Sequence, residues 1–266
     1  MNEAKYLDVI FLIDTSGSMA TELETVKKSC INFADRIILE NKSVLLGLIG
    51  FDIGGHRNQN AKTNYQVHQL STYTIGIWQL SSPSEFKQNI STLSLGLFGG
   101  GGCYIADKNS VDIFQHVASA FTKDNHSKIL VLVSDEMGGV DGLPDIVNTL
   151  NKHDIETYVM GVSGQHGAHE SIAKLTGGQF WDIHKSRGSQ DFAELLNEAA
   201  DEIVTSIEIK MRDSGLSEEF IKSHDSKERS RKTNIKFGEI KKSTIKFGQV
   251  NKTIIKFGNT QEKKDF

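Results

Sequence analysis

Residues 8–19 read DVIFLIDTSGSM, and the reading of this stretch decides the fold. Val9, Ile10, Phe11, Leu12 and Ile13 form an unbroken apolar run, the pattern of a strand covered on both faces. The run stops at Asp14, and Thr15, Ser16, Gly17 and Ser18 follow. A carboxylate and several hydroxyls thus gather at the end of a buried strand, the edge at which open α/β sheets bind ligands. Ser and Asp are also good helix N-caps. A turn leading into a helix is therefore the second reading of the same residues.

Working outward, Leu23, Val26, Cys30, Phe33 and Ile37 recur at spacings of three and four, which marks one face of a helix and makes Cys30 a small core residue. SVLLGLIGF (43–51) reads as a second buried strand and STYTIGIWQL (71–80) as a third, with a polar loop between them. A short helix is expected over 84–92, after Pro83. GLFGGGGCYIADKNS reads as a flexible loop entering a helix that carries Val111, Phe114, Val117, Ala118 and Phe121. KILVLVSDE (128–136) is a further apolar strand running into an aspartate, Asp135. A helix with Ile146, Val147 and Leu150 follows, then strands at 155–162 and 178–183 with a short helix near 171–175 between them. The last helix, about 190–207, places Phe192, Leu195, Leu196, Ala199, Ile203 and Ile207 on one face. Strands alternating with helices predict an α/β fold, doubly wound, with a mostly parallel sheet, helices on both faces and right-handed crossovers. Two strands then deliver aspartates to the same edge.

The charge is uneven. Residues 222–266 hold 13 Lys and Arg against 5 Asp and Glu, while the first 221 residues hold 17 against 29. An acidic body with a basic tail predicts two parts with separate tasks. Cys30 and Cys103 are the chain's two cysteines, so neither a disulfide framework nor a Cys-x-x-Cys site is expected. The N-terminus, MNEAKYLDVIF, lacks the basic-then-apolar pattern of a signal peptide. No apolar run approaches the roughly 18 residues that a membrane span requires. The expectation is a cytoplasmic protein that does not contact a membrane.

Over roughly residues 5–208 the chain resembles the von Willebrand factor A family. The strand followed by DTSGS is similar to that family's metal-ion-dependent adhesion site, Asp-x-Ser-x-Ser, with Asp14, Ser16 and Ser18 matching it position by position. The family's later aspartate, at a strand end, matches Asp135 in LVSDE. The resemblance implies the family's Rossmann-like sheet and a divalent ion, Mg²⁺ or Mn²⁺, held by Asp14, Ser16, Ser18 and Asp135. It also implies a partner's acidic side chain completing the shell. Two departures stand out. Cys103, in GGGGC, occupies the position of the family's threonine, and a thiol is a poor ligand for a hard ion. Glu136 stands where glycine is common, so the acid could come from within the chain.

Other motifs carry less. Gly99–Gly102 is not followed by the Gly-Lys-Ser/Thr of a phosphate loop. His166, His169 and Glu170 lack His-Glu-x-x-His spacing and read as a polar loop before a helix. Trp78 and Trp181 read as packing residues. GVSGQ breaks the Gly-x-Ser-x-Gly elbow, so nothing argues for catalysis.

The tail repeats one decapeptide three times, as TNIKFGEIKK, STIKFGQVNK and TIIKFGNTQE. In each copy Ile and Phe, two apart, share one face of an extended strand: Ile235 and Phe237, Ile245 and Phe247, Ile255 and Phe257. Three such units are too poor in apolar groups to make a core of their own. Three readings stay open for the tail: multivalent docking to a partner's sheet edge, cross-β self-assembly, or a carrier segment modified by a partner enzyme. The expected organisation is a von Willebrand A-like body (1–208), a polar basic linker (209–232) and the repeats (233–262). The expected role is a non-enzymatic, metal-dependent protein-interaction module with a recruitment tail, of the stand-alone kind found in bacterial signalling or conflict systems. Protein partners are expected at the metal rim and the tail, and nucleic acid is not.

Overall fold

The computed structural model describes residues 6–40, 44–54, 64–102, 104–122, 126–164, 166–183, 189–213, 245–247 and 250–252. Two units are distinguished, Met1–Ser217 and Glu218–Phe266.

In the first unit, β1 (Leu7–Asp14) is the apolar run of DVIFLID, and all eight of its residues are buried. It sits in the middle of a seven-stranded sheet of order β3-β4-β2-β1-β5-β6-β7. The other strands are β2 (Val44–Ile53), β3 (Gln66–Gln69), β4 (Tyr73–Ser81), β5 (Ser127–Val133), β6 (Ile155–Gly161) and β7 (Phe180–Asp182). β1 pairs in parallel with β2 from Leu7↔Val44 to Asp14↔Phe51, and with β5 from Leu7↔Ser127 to Ile13↔Val133. Only β3 and β4 run antiparallel to their neighbours.

Alternation along β1 sends side chains to two cores. Val9, Phe11 and Ile13 pack with Val26, Cys30 and Phe33 of α1 (Leu23–Glu40), Phe86 and Ile90 of α2 (Pro83–Thr92), and Ala199 and Ile203 of α6 (Ser189–Asp213). Ile10 and Leu12 pack with Phe114 and Val117 of α3 (Val111–Ala120), Ile146 and Leu150 of α4 (Leu143–Lys152), and Ile172 and Ala173 of α5 (Ala168–Leu175). Helices thus cover both faces, as the unbroken apolar strands require. Phe11 meets Phe33 edge-on at 5.3 Å. Truncating such a ring to alanine costs about 3–5 kcal/mol. α2 starts where its sequence says: Ser82 and Glu85 form a reciprocal capping box and Pro83 opens the first turn.

Several expectations need correction. The polar loop before the third strand contains β3, an edge strand that has no apolar run to reveal it. The run Gly96–Gly101 is stitched in place rather than flexible: Gly96 N donates to Thr15 O (2.7 Å), Gly17 N to Gly100 O (3.1 Å), and Gly101 and Ile53 exchange bonds of 2.8 and 3.1 Å. Gly99 lies against the backbone of Gly54 so closely that neither position has room for a Cβ. α5 begins three residues earlier than expected and contains His169, which is 1% exposed. That residue belongs to the core, not to a polar loop. α6 continues to Asp213, past Ile207.

Cys30, Trp78 and Trp181 are buried packing residues, as read from the sequence. In the second unit, β8 (Ile245–Phe247) pairs antiparallel with β9 (Val250–Lys252), with Phe247 opposite Val250. Ile235, Phe237, Ile255 and Phe257 lie outside the described residues.

Candidate functional site

Sheet topology singles out one crevice. After β1 the chain leaves toward α1 on one face. After β5 it leaves toward α4 on the other, so the carboxyl ends of these adjacent strands form a switch point. Asp14 ends β1, and Asp135 lies two residues past the end of β5.

The buried floor is rigid. Asp14 is 0% exposed; its Oδ1 accepts from Ser16 N (2.8 Å) and its Oδ2 from Ser134 Oγ (2.8 Å). Burial pushes its carboxyl up to about 6, against the hydrogen bonds from Ser16 and Ser134, which pull it down. Ser16 precedes a short 3-10 turn, Gly17–Ala20, yet its side chain makes no capping bond. It meets Ser18 Oγ at 2.9 Å instead. The helix-start reading of DTSGS is therefore right about the backbone and wrong about the hydroxyl, which is buried and bonds Ser18 instead of capping the turn.

Above the floor, exposed Ser18 donates from Oγ to Asp135 Oδ1 (3.0 Å) and approaches Glu136 Oε1 at 3.4 Å. Glu136 N in turn donates to Ser134 Oγ (3.2 Å). Burial, then the neighbouring charge of Asp135, raises the Glu136 carboxyl above its usual range. Asp14, Ser16, Ser18 and Asp135 are thus brought into one connected cluster. Cys103 lies outside the described residues, though its neighbour Gly102 borders the Glu136 side chain.

These residues suit a small hard cation. An octahedral Mg²⁺ with oxygens at about 2.0–2.1 Å keeps adjacent ligands about 2.8–3.0 Å apart. The Ser16–Ser18 and Ser18–Asp135 separations of 2.9 and 3.0 Å fall in that span. Among the described residues no three His, Cys, Asp or Glu side chains converge on a metal-sized space. An ion here would therefore rest on serine hydroxyls, waters and Asp135, with Asp14 bracing from below.

Two supporting residues escape a motif search. Ser134 bridges Asp14 to the backbone of Glu136. Asp52, fully buried at the end of β2, accepts from Thr15 Oγ1 (2.9 Å) and Phe98 N (3.1 Å), tying the β1 loop to the glycine-rich segment. The signal for Asp52 was present: LLGLIGFD is a third apolar strand running into an aspartate. Leu95, Tyr104, Met137 and Val140, all outside the helices and strands, expose 40%, 58%, 56% and 41% of their surface. His169 takes no part, because its Nδ1 folds back to Val162 at 3.2 Å.

The match to the von Willebrand factor type A domain covers residues 8–196, and the chain belongs to that family. No curated protein sequence matches it. Among solved structures it is similar to the pilus adhesin SpaC of Lactobacillus rhamnosus GG, at 15% identity and a TM-score of 0.52, over 76% of this chain and 31% of the adhesin. An aerotolerance-related membrane protein of Bacteroides fragilis is similar at 14% identity and a TM-score of 0.50, over 74% of this chain and 99% of that one. At these identities the likeness establishes the fold alone. No described helix is long and apolar enough to cross a membrane.

Proposed function

We propose that the chain is a non-enzymatic interaction protein. Its von Willebrand factor A domain binds Mg²⁺ or Mn²⁺ through Ser16, Ser18 and Asp135, with Asp14 as brace, and offers the ion to an acidic side chain of a protein partner. One observation carries this reading. The Ser16 and Ser18 hydroxyls and the Asp135 carboxylate form one hydrogen-bonded oxygen cluster at the carboxyl ends of two adjacent parallel strands. A cation held there attracts a carboxylate. The adhesin among its structural neighbours is consistent with such a role.

Calorimetric titration of the full chain with Mg²⁺ and Mn²⁺ tests the reading. Binding that is lost in Asp14→Ala is expected, and no heat with either ion sinks it. Cys103→Thr should tighten Mg²⁺ binding, since a hard oxygen replaces a soft sulfur. The tail serves as a second contact, in a cytoplasmic signalling assembly, with each Ile/Phe face docking to the same partner. Replacing Phe237, Phe247 and Phe257 with alanine one at a time should weaken partner capture stepwise, and more steeply than for independent sites. Fibres of the isolated tail with a 4.7–4.8 Å reflection would favour self-assembly instead. Repeated mass shifts on the tail in native protein would favour the carrier role.

A further inference from the structure

We propose that Glu136 closes the site from within: its carboxylate occupies the approach that a partner's acid would take, so the domain is held in a self-capped state. This rests on the metal reading above and adds regulation to it. Three observations lead here. First, the backbone of Glu136 is fixed to the site, because its N–H donates to Ser134 Oγ, which itself donates to Asp14 Oδ2. Second, the side chain turns inward. Glu136 is half-buried while its neighbour Met137 is exposed, and Oε1 reaches toward Ser18 Oγ at 3.4 Å. It also lies against Gly102, where any Cβ would collide with it. Glycine at 102 leaves the room that this pose needs. Third, Asp135 and Glu136 both face the Ser18 hydroxyl, at 3.0 and 3.4 Å, and one hydroxyl proton cannot serve both. Two adjacent carboxylates held against one hydroxyl repel each other, and a divalent cation between them removes that repulsion.

The consequence is a competition. With the ion bound, Glu136 takes a coordination position that water or a partner acid would otherwise fill, and so strengthens the hold on the metal. A partner carboxylate must displace it. The chain therefore binds its ion more tightly and its acidic partner more weakly than a domain with glycine at this position.

The test uses the full chain loaded with Mn²⁺, read by calorimetry and by the relaxation rate of water protons, which reports waters on the ion. Glu136→Gln should weaken Mn²⁺ at least by the roughly tenfold that loss of an outer-shell partner costs. It should also raise the relaxation rate and let added acetate lower that rate again, while acetate leaves the wild type unchanged. Glu136→Asp, one methylene shorter, should fall between the two, and thermal melts in EDTA check that each variant is folded. A wild type that binds Mn²⁺ alongside a Glu136→Gln variant of equal affinity and equal relaxation rate overturns the self-capped state alone. A wild type that binds no Mn²⁺ overturns the metal reading, and the cap with it.

Discussion

The two ends of β1 and β5 carry polar groups in opposite states. At the amino end, Asp8 Oδ1 meets His126 Nδ1 at 2.8 Å with both side chains enclosed, Tyr6 stacks on the imidazole at 4.8 Å, and Lys128 donates to His153 O at 3.3 Å. At the carboxyl end, Asp14 is enclosed, but Ser18 is exposed and Asp135 and Glu136 are half-exposed. The first arrangement is enclosed but incomplete, since Asp8 Oδ2 is buried with no hydrogen-bond partner among the described residues. The second sets two partly exposed carboxylates side by side. One pair of strands thus carries an enclosed polar pair at one end and a partly exposed oxygen cluster at the other. Burial of a polar group does not by itself separate the two roles; orientation toward solvent does.

The sharpest test of that contrast compares stability in EDTA after one change at each end. Asp8→Ala removes one partner of a buried hydrogen bond and should cost about 1–3 kcal/mol by urea unfolding. Asp135→Ala should cost only about 1 kcal/mol while removing the metal response. Equal losses would break the division of roles.

Acid should act through a group belonging to neither edge. Burial holds His169 down to about 4, from 6.5 in the unfolded chain. Below pH 6.5 the unfolded state therefore binds the proton more readily, and this group's contribution falls until it levels near pH 4. The loss reaches at most about 3 kcal/mol. His169→Gln should remove this contribution, so the difference in stability between variant and wild type should shift in the variant's favour from pH 7.5 to pH 4; a difference independent of pH would assign the effect elsewhere.

Asp14 has the reverse sign. Its carboxyl is raised from 3.8 to about 6, so the ionised form opposes folding above pH 6 and has no effect below about 3.8. In EDTA at pH 7.5, Asp14→Asn should stabilise the fold by up to about 3 kcal/mol, with the gain vanishing by pH 4.

The smallest effect is stabilisation by the ion itself. At a tenfold excess over Kd, Mg²⁺ should add about 1.4 kcal/mol, visible as a higher melting temperature. Asp135→Ala should abolish the rise and Asp8→Ala should keep it.

Much of this was legible in the chain. Unbroken runs such as VIFLI and ILVLV announce strands covered on both faces, and their number and alternation with helices specify the doubly wound sheet. β3 was not legible, because an edge strand such as QVHQ is solvated and needs no apolar code. His169 was misread because its surroundings in sequence are polar, while burial depends on Gly161 leaving space for the imidazole. For the site, strand ends flagged Asp14 and Asp135, and the resemblance to the von Willebrand factor A motif named Ser16 and Ser18 beside them. It missed Ser134 and Asp52, which no motif contains.

The sequence by itself determined the order of elements, the edge at which oxygens collect and the duplication of the tail, since each follows from local periodicity and repetition. Only the tertiary structure decided that Ser16 bonds Ser18 instead of capping its turn, that Ser134 braces Asp14, and that Glu136 lies against Gly102. Those outcomes depend on distances between residues up to 120 positions apart. No local pattern encodes such distances, because the packing of one strand against another sets them.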